Sequence, residues 1–411
     1  MLRQTDGISY TLTKKSVKNI NLRVKVDGSI HVSAAPHVPL ERIDAFVSSK
    51  KEWLQKSRSA PSPVPYAKDI CLQVFIPVFE RFNVLFAPQL KEKPQLKVRF
   101  MKTRWGVCHV QKNTIVLNSA LMAKPLAAIE YVIAHEHTHF LYPNHQKGFH
   151  DFMAKIMPDY KQRRKLLKTD WPPALPNRHI IYENEMTSTN TVLKAAAQSG
   201  APHGSIALCD RQLSGRGRLD RVWDTPDAEG QLTVSLLLRT RVVTPLYTLL
   251  AGLCMAKAIE QAGIPAKIKW PNDLVVHGKK VCGILCEAAG GAIIIGTGVN
   301  VSGHPAVLDA SATHLTAYAP VTRGGLLKNY LAQMDAFLPR FEIEGFSAIK
   351  AEYEQRLITL NKSVRIVGQE TFNATAVGID DSGALLIIDE SGCTRAISFG
   401  DVSVRGVMGY V

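Results

Sequence analysis

The chain has 411 residues, 46% of them hydrophobic and 21% charged, with a formal net charge of +15. That length allows two or three domains, and the composition is that of globular protein, which excludes a disordered or fibrous chain. No uninterrupted apolar stretch approaches the ~20 residues of a membrane span, and MLRQTDGISYTLTKK lacks the apolar core of a secretory signal. Seven scattered cysteines with no CxxC pair favour reduced thiols and a cytoplasmic setting. Among them, Cys282 and Cys286 read as buried small apolar residues rather than a metal half-site.

The excess charge is confined to the first part. Residues 1–170 hold 28 Lys+Arg against 13 Asp+Glu, whereas residues 171–411 hold 22 of each. Such a surface suits nucleic acid or acidic partners. A solvated, lysine-rich helix face, as in KQRRKLLK at 161–168, is the preferred reading, because there is no zinc-finger spacing and no basic recognition helix.

In chain order, Ile20, Leu22, Val24, Val26, Ile30 and Val32 alternate around Asp27-Gly28, a strand–turn–strand signal. A helix is predicted over 40–57, ending near WLQK, then strands at 96–101 and 114–118 and a helix over 125–142. TDWPPALPN at 169–177 places Pro172, Pro173 and Pro176 within five residues, which favours extended backbone and marks a domain boundary. Beyond it, helices near 189–199, 246–263 and 324–339 are interleaved with strands at 205–210, 231–238, 265–270, 281–288 and 292–298. From about 362 the pattern is short strands broken by turns such as Asp380-Asp381-Ser382-Gly383, which predicts a small β-barrel.

Two constellations carry chemistry. In AHEHTHF (134–140), His135 and His139 are one helical turn apart on one face, with Glu136 beside them. This is HExxH, in which two imidazoles bind Zn²⁺ and the glutamate takes a proton from water. His137 lies about 200° around the helix from His135 and points away. For the third ligand, His145 in YPNHQKGFH is the first candidate and His150 the second. The order RWGVC (104–108), TIVLN (114–118), the HExxH helix, Asn144-His145, GFHDFM and MPDY (157–160) resembles the YgjP-like metallopeptidase family, related to SprT-like and WLM domains. The resemblance runs from about residue 10 to 168. It implies a zincin-like fold with His135, His139 and His145 as metal ligands and Glu136 as catalytic base. His137, Thr138 and Val107 depart from the family's usual residues without touching a ligand.

The second constellation begins with QLSGRGRLDRVW (212–223), where Gly215 and Gly217 alternate with Arg216, Arg218 and Arg221. Glycines allow close backbone approach to an anion, and arginines hold carboxylate or phosphate through paired donors. IKWPNDLVVHGKKVCGILCE (268–287) adds Lys269, Lys279 and Lys280, with oxygens from Asn272 and Asp273, the latter suited to Mg²⁺ beside phosphate. IIIGTGVNVS (293–302) ends an apolar strand in a glycine-rich turn with Asn300.

With TSTN (187–190), GRGRLDRVW, KWPND, KKVCGIL, IGTGVN and GIDDSGAL (378–385) in order, residues 178–411 resemble the biotin protein ligases. The resemblance implies that Ser188, Thr189, Asn190 and Gln212 contact biotin, with Arg216, Gly217 and Arg218 in a loop over the adenylate. Lys280 would meet the biotin carboxylate and the α-phosphate. Gly215, Arg221, Trp223, Lys269, Asn272, Asp273 and Asn300 would serve the adenylate. Leu219-Asp220 stand where many members have a basic residue and glycine, so Asp220 is expected to tune loop closure.

The expected architecture is multidomain α+β. It comprises a metallopeptidase domain (1–170), a Pro-rich linker (171–177), a mixed α/β catalytic domain (178–361) and an SH3-like barrel (362–411). The implied chemistry uses ATP, biotin and Mg²⁺ to form biotinyl-5′-AMP, then passes biotin to a lysine of a carrier protein such as the biotin carboxyl carrier of acetyl-CoA carboxylase. Zn²⁺ would occupy the first domain. No helix-turn-helix is present to support operator DNA binding, and a homodimer is compatible with this reading. The alternatives are a lipoate-type ligase on the same fold, which GRGRxxRxW and KWPND argue against, and a nucleic-acid-associated metalloprotein.

Overall fold

Alternation of apolar and polar residues organises the first part of the chain. Strands β1 (Leu2–Thr5), β2 (Ile8–Lys14), β3 (Asn21–Val24) and β4 (Ile30–Ala34) form a sheet in the order β1-β2-β4-β3, with β2 and β4 parallel. Ile8, Tyr10, Leu12, Ile30, Val32 and Ala34 all point to one face, as period-two alternation requires. There they meet Ile43 and Val47 of helix α1 (Leu40–Ser48) and Leu54. The expected strand pair is thus half of a sheet. The Asp27-Gly28 turn and most of WLQK lie outside the described residues. This computed structural model describes residues 1–24, 29–51, 54, 66–175, 178–218, 221–225, 230–303, 311–368, 370–398 and 403–406. It contains two compact units, Met1–Val64 and Pro65–Val411.

The second unit opens with helix α2 (Lys68–Phe86), an element that the sequence patterns did not suggest. Pro77 lies inside it, and proline ordinarily breaks a helix. Here Pro77 is on the exposed side, while Cys71, Phe75, Phe79, Phe82 and Phe86 are buried on the other, so packing outweighs propensity. By length and mean hydropathy, Lys68–Gln89 passes as a membrane span. Its aromatic face is instead the centre of a protein core.

That core is shared with a three-stranded sheet, β5 (Gln95–Arg99), β6 (Gly106–His109) and β7 (Thr114–Asn118), in the order β5-β7-β6. Helices α3 (Leu126–Thr138) and α4 (Lys147–Ile156) close it, followed by α5 (Tyr160–Lys165). Residues 171–175 are not a free tether. Trp171 is buried in the core that follows and Ala174 in the core that precedes.

A seven-stranded sheet then forms from β8 (Ile180–Met186), β9 (Ile206–Gln212), β10 (Gln231–Arg239), β11 (Lys267–Lys269), β12 (Asp273–Val276), β13 (Lys279–Ala289) and β14 (Ala292–Asn300). Its order is β11-β12-β13-β14-β10-β9-β8, antiparallel except for β8 with β9. Both faces are covered. Ile206, Leu208, Leu236, Leu238, Ile293 and Ile295 meet α7 (Tyr247–Glu260) and α8 (Arg323–Glu344). The intervening Ala207, Leu237 and Ile294 meet α6 (Thr189–Gln198). Double coverage explains why these strands read as continuous apolar runs. Two-residue turns with positive φ, His277-Gly278 and Gly290-Gly291, set the β12–β13 and β13–β14 registers.

After the short helix α9 (Lys350–Glu354), β15 (Lys362–Val367), β16 (Thr371–Ile379), β17 (Leu385–Asp389), β18 (Thr394–Ile397) and β19 (Ser403–Gly406) make an antiparallel sheet, β18-β17-β16-β15-β19. Trp270 Nε1–H donates to the Gly383 carbonyl at 3.0 Å, joining this sheet to the KWPND turn.

Phe75 is fully buried beside the HExxH helix. Phe75→Ala is expected to cost about 3–5 kcal/mol, measured by chemical denaturation.

Candidate active sites

Helix α3 is buried on most of its circumference, which leaves His135 and His139 as the half-exposed positions near its end. His145 comes from the following turn, and the ligand atoms of the three histidines lie within 4.8 Å of one another. The second nitrogens are occupied in a way that aims the first. His139 Nδ1–H donates to the Tyr142 carbonyl at 3.1 Å, and His135 Nδ1 meets the Tyr131 hydroxyl at 3.3 Å. The Nε2 atoms of His135 and His145 face each other at 2.9 Å. Such support of ligating histidines is what a metal site requires. Burial, then the neighbouring His139 and His145, push His135 down to about 3, which keeps it a neutral ligand. His137 points away, its Nδ1–H on the Ile133 carbonyl at 2.8 Å and Nε2 3.0 Å from the Asn83 amide. His150 sits against Tyr160 at 3.3 Å, apart from the cluster.

Glu136 is 6% exposed, and burial raises it to about 7, opposed by the Cys108 backbone N–H and by Arg104. The glycine of RWGVC has a steric reason. A Cβ on Gly106 would lie 2.7 Å from Glu136 Oε1. Phe149 packs at the centre of the histidine cluster, a place that the sequence pattern does not mark. Its ring centroid lies 4.9, 5.0 and 4.7 Å from those of His135, His139 and His145. An apolar residue three or four positions past a ligand is common, so its sequence carried no distinguishing signal.

On the seven-stranded sheet, a cavity of about 520 Å³ gathers the second set. Ser188, Thr189, Asn190, Gln212, Arg216, Gly217, Arg218, Arg221, Trp223, Lys269, Asn272, Asp273 and Lys280 all line it. Gly215 and Asn300 do not. A Cβ on Gly215 would fall 2.2 Å from the Trp223 carbonyl oxygen, so this glycine shapes the loop. Asn300 is buried, accepting from Gln231 Nε2 at 3.0 Å and donating to the Thr313 carbonyl at 3.2 Å. Leu219-Asp220 lie outside the described residues.

Within the cavity the polar groups are fixed by one another. Gln212 Oε1 accepts from Thr189 N and Oγ1 at 2.9 and 3.1 Å, and Ser235 Oγ–H donates to Asn190 Oδ1 at 2.6 Å. Arg218 donates to Asn272 Oδ1 at 3.1 Å, and Lys280 Nζ pairs with Asp273 Oδ1 at 2.7 Å. The C-terminal sheet contributes Val404. Two glycines of the expected motifs have a role that the motifs did not disclose. Gly283 and Gly298 are paired across β13 and β14, and the Trp223 indole lies on them. A Cβ on Gly298 would be 2.3 Å from that ring.

Comparison with known proteins follows the same division. Residues 18–69 and 76–170 match the family described as YgjP-like, metallopeptidase domain. Residues 183–302 match the biotin/lipoate A/B protein ligase family, and 359–405 the biotin protein ligase C terminal domain. The bifunctional ligase/repressor BirA of Bacillus subtilis is 34% identical over 237 residues, 54% of this chain and 73% of that protein. The biotin--[acetyl-CoA-carboxylase] ligase of Mycobacterium tuberculosis is 33% identical over 239 residues, 55% of this chain and 88% of that one. The Aquifex aeolicus biotin protein ligase, solved with biotin and ATP, superposes with a TM-score of 0.50 at 30% identity, covering 56% of this chain and 99% of its own. The likeness covers 73% or more of each of these enzymes and falls where the basic cavity is built, so this chain belongs to the biotin protein ligase family and carries a YgjP-like metallopeptidase domain ahead of the ligase.

Proposed function

We propose that the basic cavity activates biotin with ATP and passes it to a lysine of a carrier protein, the biotin carboxyl carrier of acetyl-CoA carboxylase being the leading acceptor. The observation that carries this reading is the convergence of Arg216, Arg218, Arg221, Lys269 and Lys280 on one cavity. A biotin carboxylate oxygen would attack the α-phosphorus, releasing pyrophosphate and leaving biotinyl-5′-AMP. The carrier amine would then attack the acyl carbon, with AMP departing and the amine proton lost. Lys280 would stabilise charge at the α-phosphate, and Arg216 and Arg218 would hold the anhydride under the loop. Ser188, Thr189, Asn190 and Gln212 would bind biotin by their fixed donors and acceptors. Asp273, the one carboxylate among the described lining residues, fits a Mg²⁺ ion that takes its remaining ligands from phosphate and water.

In the amino-terminal domain, His135, His139 and His145 fit a zinc ion by donor type and by the aim of their Nε2 atoms. Zinc held there would supply Lewis-acid activation of water. Glu136, buried beside the two histidines of its own helix, would take and return the proton, as a peptidase base does. The domain limits that go with this reading are 1–170 for the peptidase, 178–361 for the ligase core and 362–411 for an SH3-like barrel. A cytoplasmic location and a homodimer are further parts of the proposal.

Biotin- and ATP-dependent labelling of a carrier domain by the intact chain is the direct test, and no labelling would refute the ligase reading. Lys280→Ala is expected to lower adenylate formation about 10²–10³-fold, read as pyrophosphate release. Gly298→Ala should push Trp223 off its glycine shelf and raise KM for ATP more than it lowers kcat. For the peptidase domain, His135→Ala and His145→Ala should each lose stoichiometric zinc by metal analysis, whereas His137→Ala should retain it.

A further inference from the structure

Glu287 lies on β13, and its side chain reaches helix α6 and the glycine-arginine loop at Asn190 and Arg216, both of which line the ligase cavity. Its carboxylate, 18% exposed, collects three donors, two from helix α6 and one from the glycine-arginine loop. Asn190 Nδ2, on the first turn of α6, donates to Oε2 at 2.6 Å. Lys194 Nζ, one turn further along α6, reaches Oε1 at 2.5 Å. Arg216, in the glycine-arginine loop, spans both oxygens at 3.2 and 3.4 Å. Burial opposes the charge of Glu287, and the bonds from Lys194 and Asn190 outweigh it, so the carboxyl is held below its usual range.

We propose that Glu287 is a positioning residue of the ligase, tethering Arg216 of the loop to the Asn190 end of the biotin pocket and so setting how long the adenylate stays enclosed. This rests on the ligase reading above. The three contacts differ in a way that fits the role. Asn190 and Lys194 make short bonds from a helix held in the core, and Asn190 Oδ1 is itself fixed by Ser235. Arg216 is 52% exposed and makes the longest contacts, so it is the arm that can lift and return. One carboxylate faces two cations, and the residual positive charge favours an anionic ligand beneath the loop. A glutamine at 287 would keep the shape and the bond from Asn190. It would present an amide N–H or a neutral oxygen to Lys194 and Arg216, and the tether would weaken.

The test uses the full chain as Glu287→Gln, Glu287→Asp, Arg216→Gln and the Glu287→Gln/Arg216→Gln pair, with thermal melts recorded for each. Biotinyl-5′-AMP release and KM for biotin are the readouts, which a merely structural ion pair would not move separately from the melt. Glu287→Gln is expected to raise adenylate release about tenfold, as a misplaced loop would. Glu287→Asp, which keeps the charge, should recover part of that loss. In the Arg216→Gln background the Glu287→Gln effect should shrink sharply, since both residues act through one contact. Wild-type release and KM in a folded Glu287→Gln protein, or effects that add in the double variant, would overturn the proposal. A wild-type chain that forms no adenylate removes the ligase reading itself, which separates the two failures.

Discussion

Positive charge confined to a small cavity is the constraint around which the ligase half is arranged. Arg216, Arg218, Arg221, Lys269 and Lys280 line the same cavity, and like charges gathered there repel one another. Asp273 and Glu287 answer that repulsion by pairing with Lys280 and Arg216. Both carboxylates lie on adjacent strands whose register the His277-Gly278 turn sets. Folding therefore leaves a net positive surplus in a fixed geometry. An anion entering the cavity meets charge already oriented, which is how a site stabilises developing negative charge without reorganising.

The same strands impose a second constraint, one of space. Gly283 and Gly298 oppose each other, and Gly296 brings its strand so close to Asn190 that a Cβ would fall 2.4 Å from Oδ1. The glycines in IGTGVN thus serve close side-chain approach rather than turning. β14 continues through them as strand, paired with β13 as far as Val299 and with β10 as far as Asn300. The glycine-rich turn expected at Asn300 is instead extended strand.

Much of the ligase cavity was legible because its residues are chemically unusual in sequence. Alternating glycine and arginine, or Trp-Pro-Asn-Asp between lysines, has few structural reasons to occur otherwise. Asn300 lies outside the cavity lining, and an asparagine two residues after a glycine looks the same in sequence whether its amide faces ligand or core. Only the bonds to Gln231 and Thr313 decide it. Helix α2 was hidden for a related reason. Pro77 signals a break locally, and the aromatic face that overrides it has meaning only against α3 and α4. Strands β1 and β12 are only four residues long and β8 is largely exposed or half-exposed, so none carries a clear pattern of its own, while β2 and β8 pair with strands further along the chain, β4 and β9. Glu287 carried no local sign at all, because its three donors lie 71 to 97 residues away along the chain.

The proline stretch at 169–177 has more to it than interruption of helix. Trp171 lies under the Arg323 guanidinium at 4.5 Å, and Arg323 donates to Asp210 at 2.7 Å on the strand that ends in Gln212. The next residue of α8, Gly324, sits where a Cβ would be 2.3 Å from the Asp170 carbonyl oxygen. One turn later Lys328 buries its ammonium, donating to the Met122 carbonyl at 2.5 Å above the Tyr66 ring. Burial lowers Lys328 to about 8 even with Asp170 nearby, so this contact is a desolvated one. A lysine on a ligase helix thereby bonds backbone four residues ahead of the HExxH helix. Prolines fix the course of the chain, while glycine and lysine supply the close approach and the bond. Residues 171–175 act as a packed seam between the peptidase and ligase cores, and composition alone, which marks them as a linker, has no means of distinguishing the two.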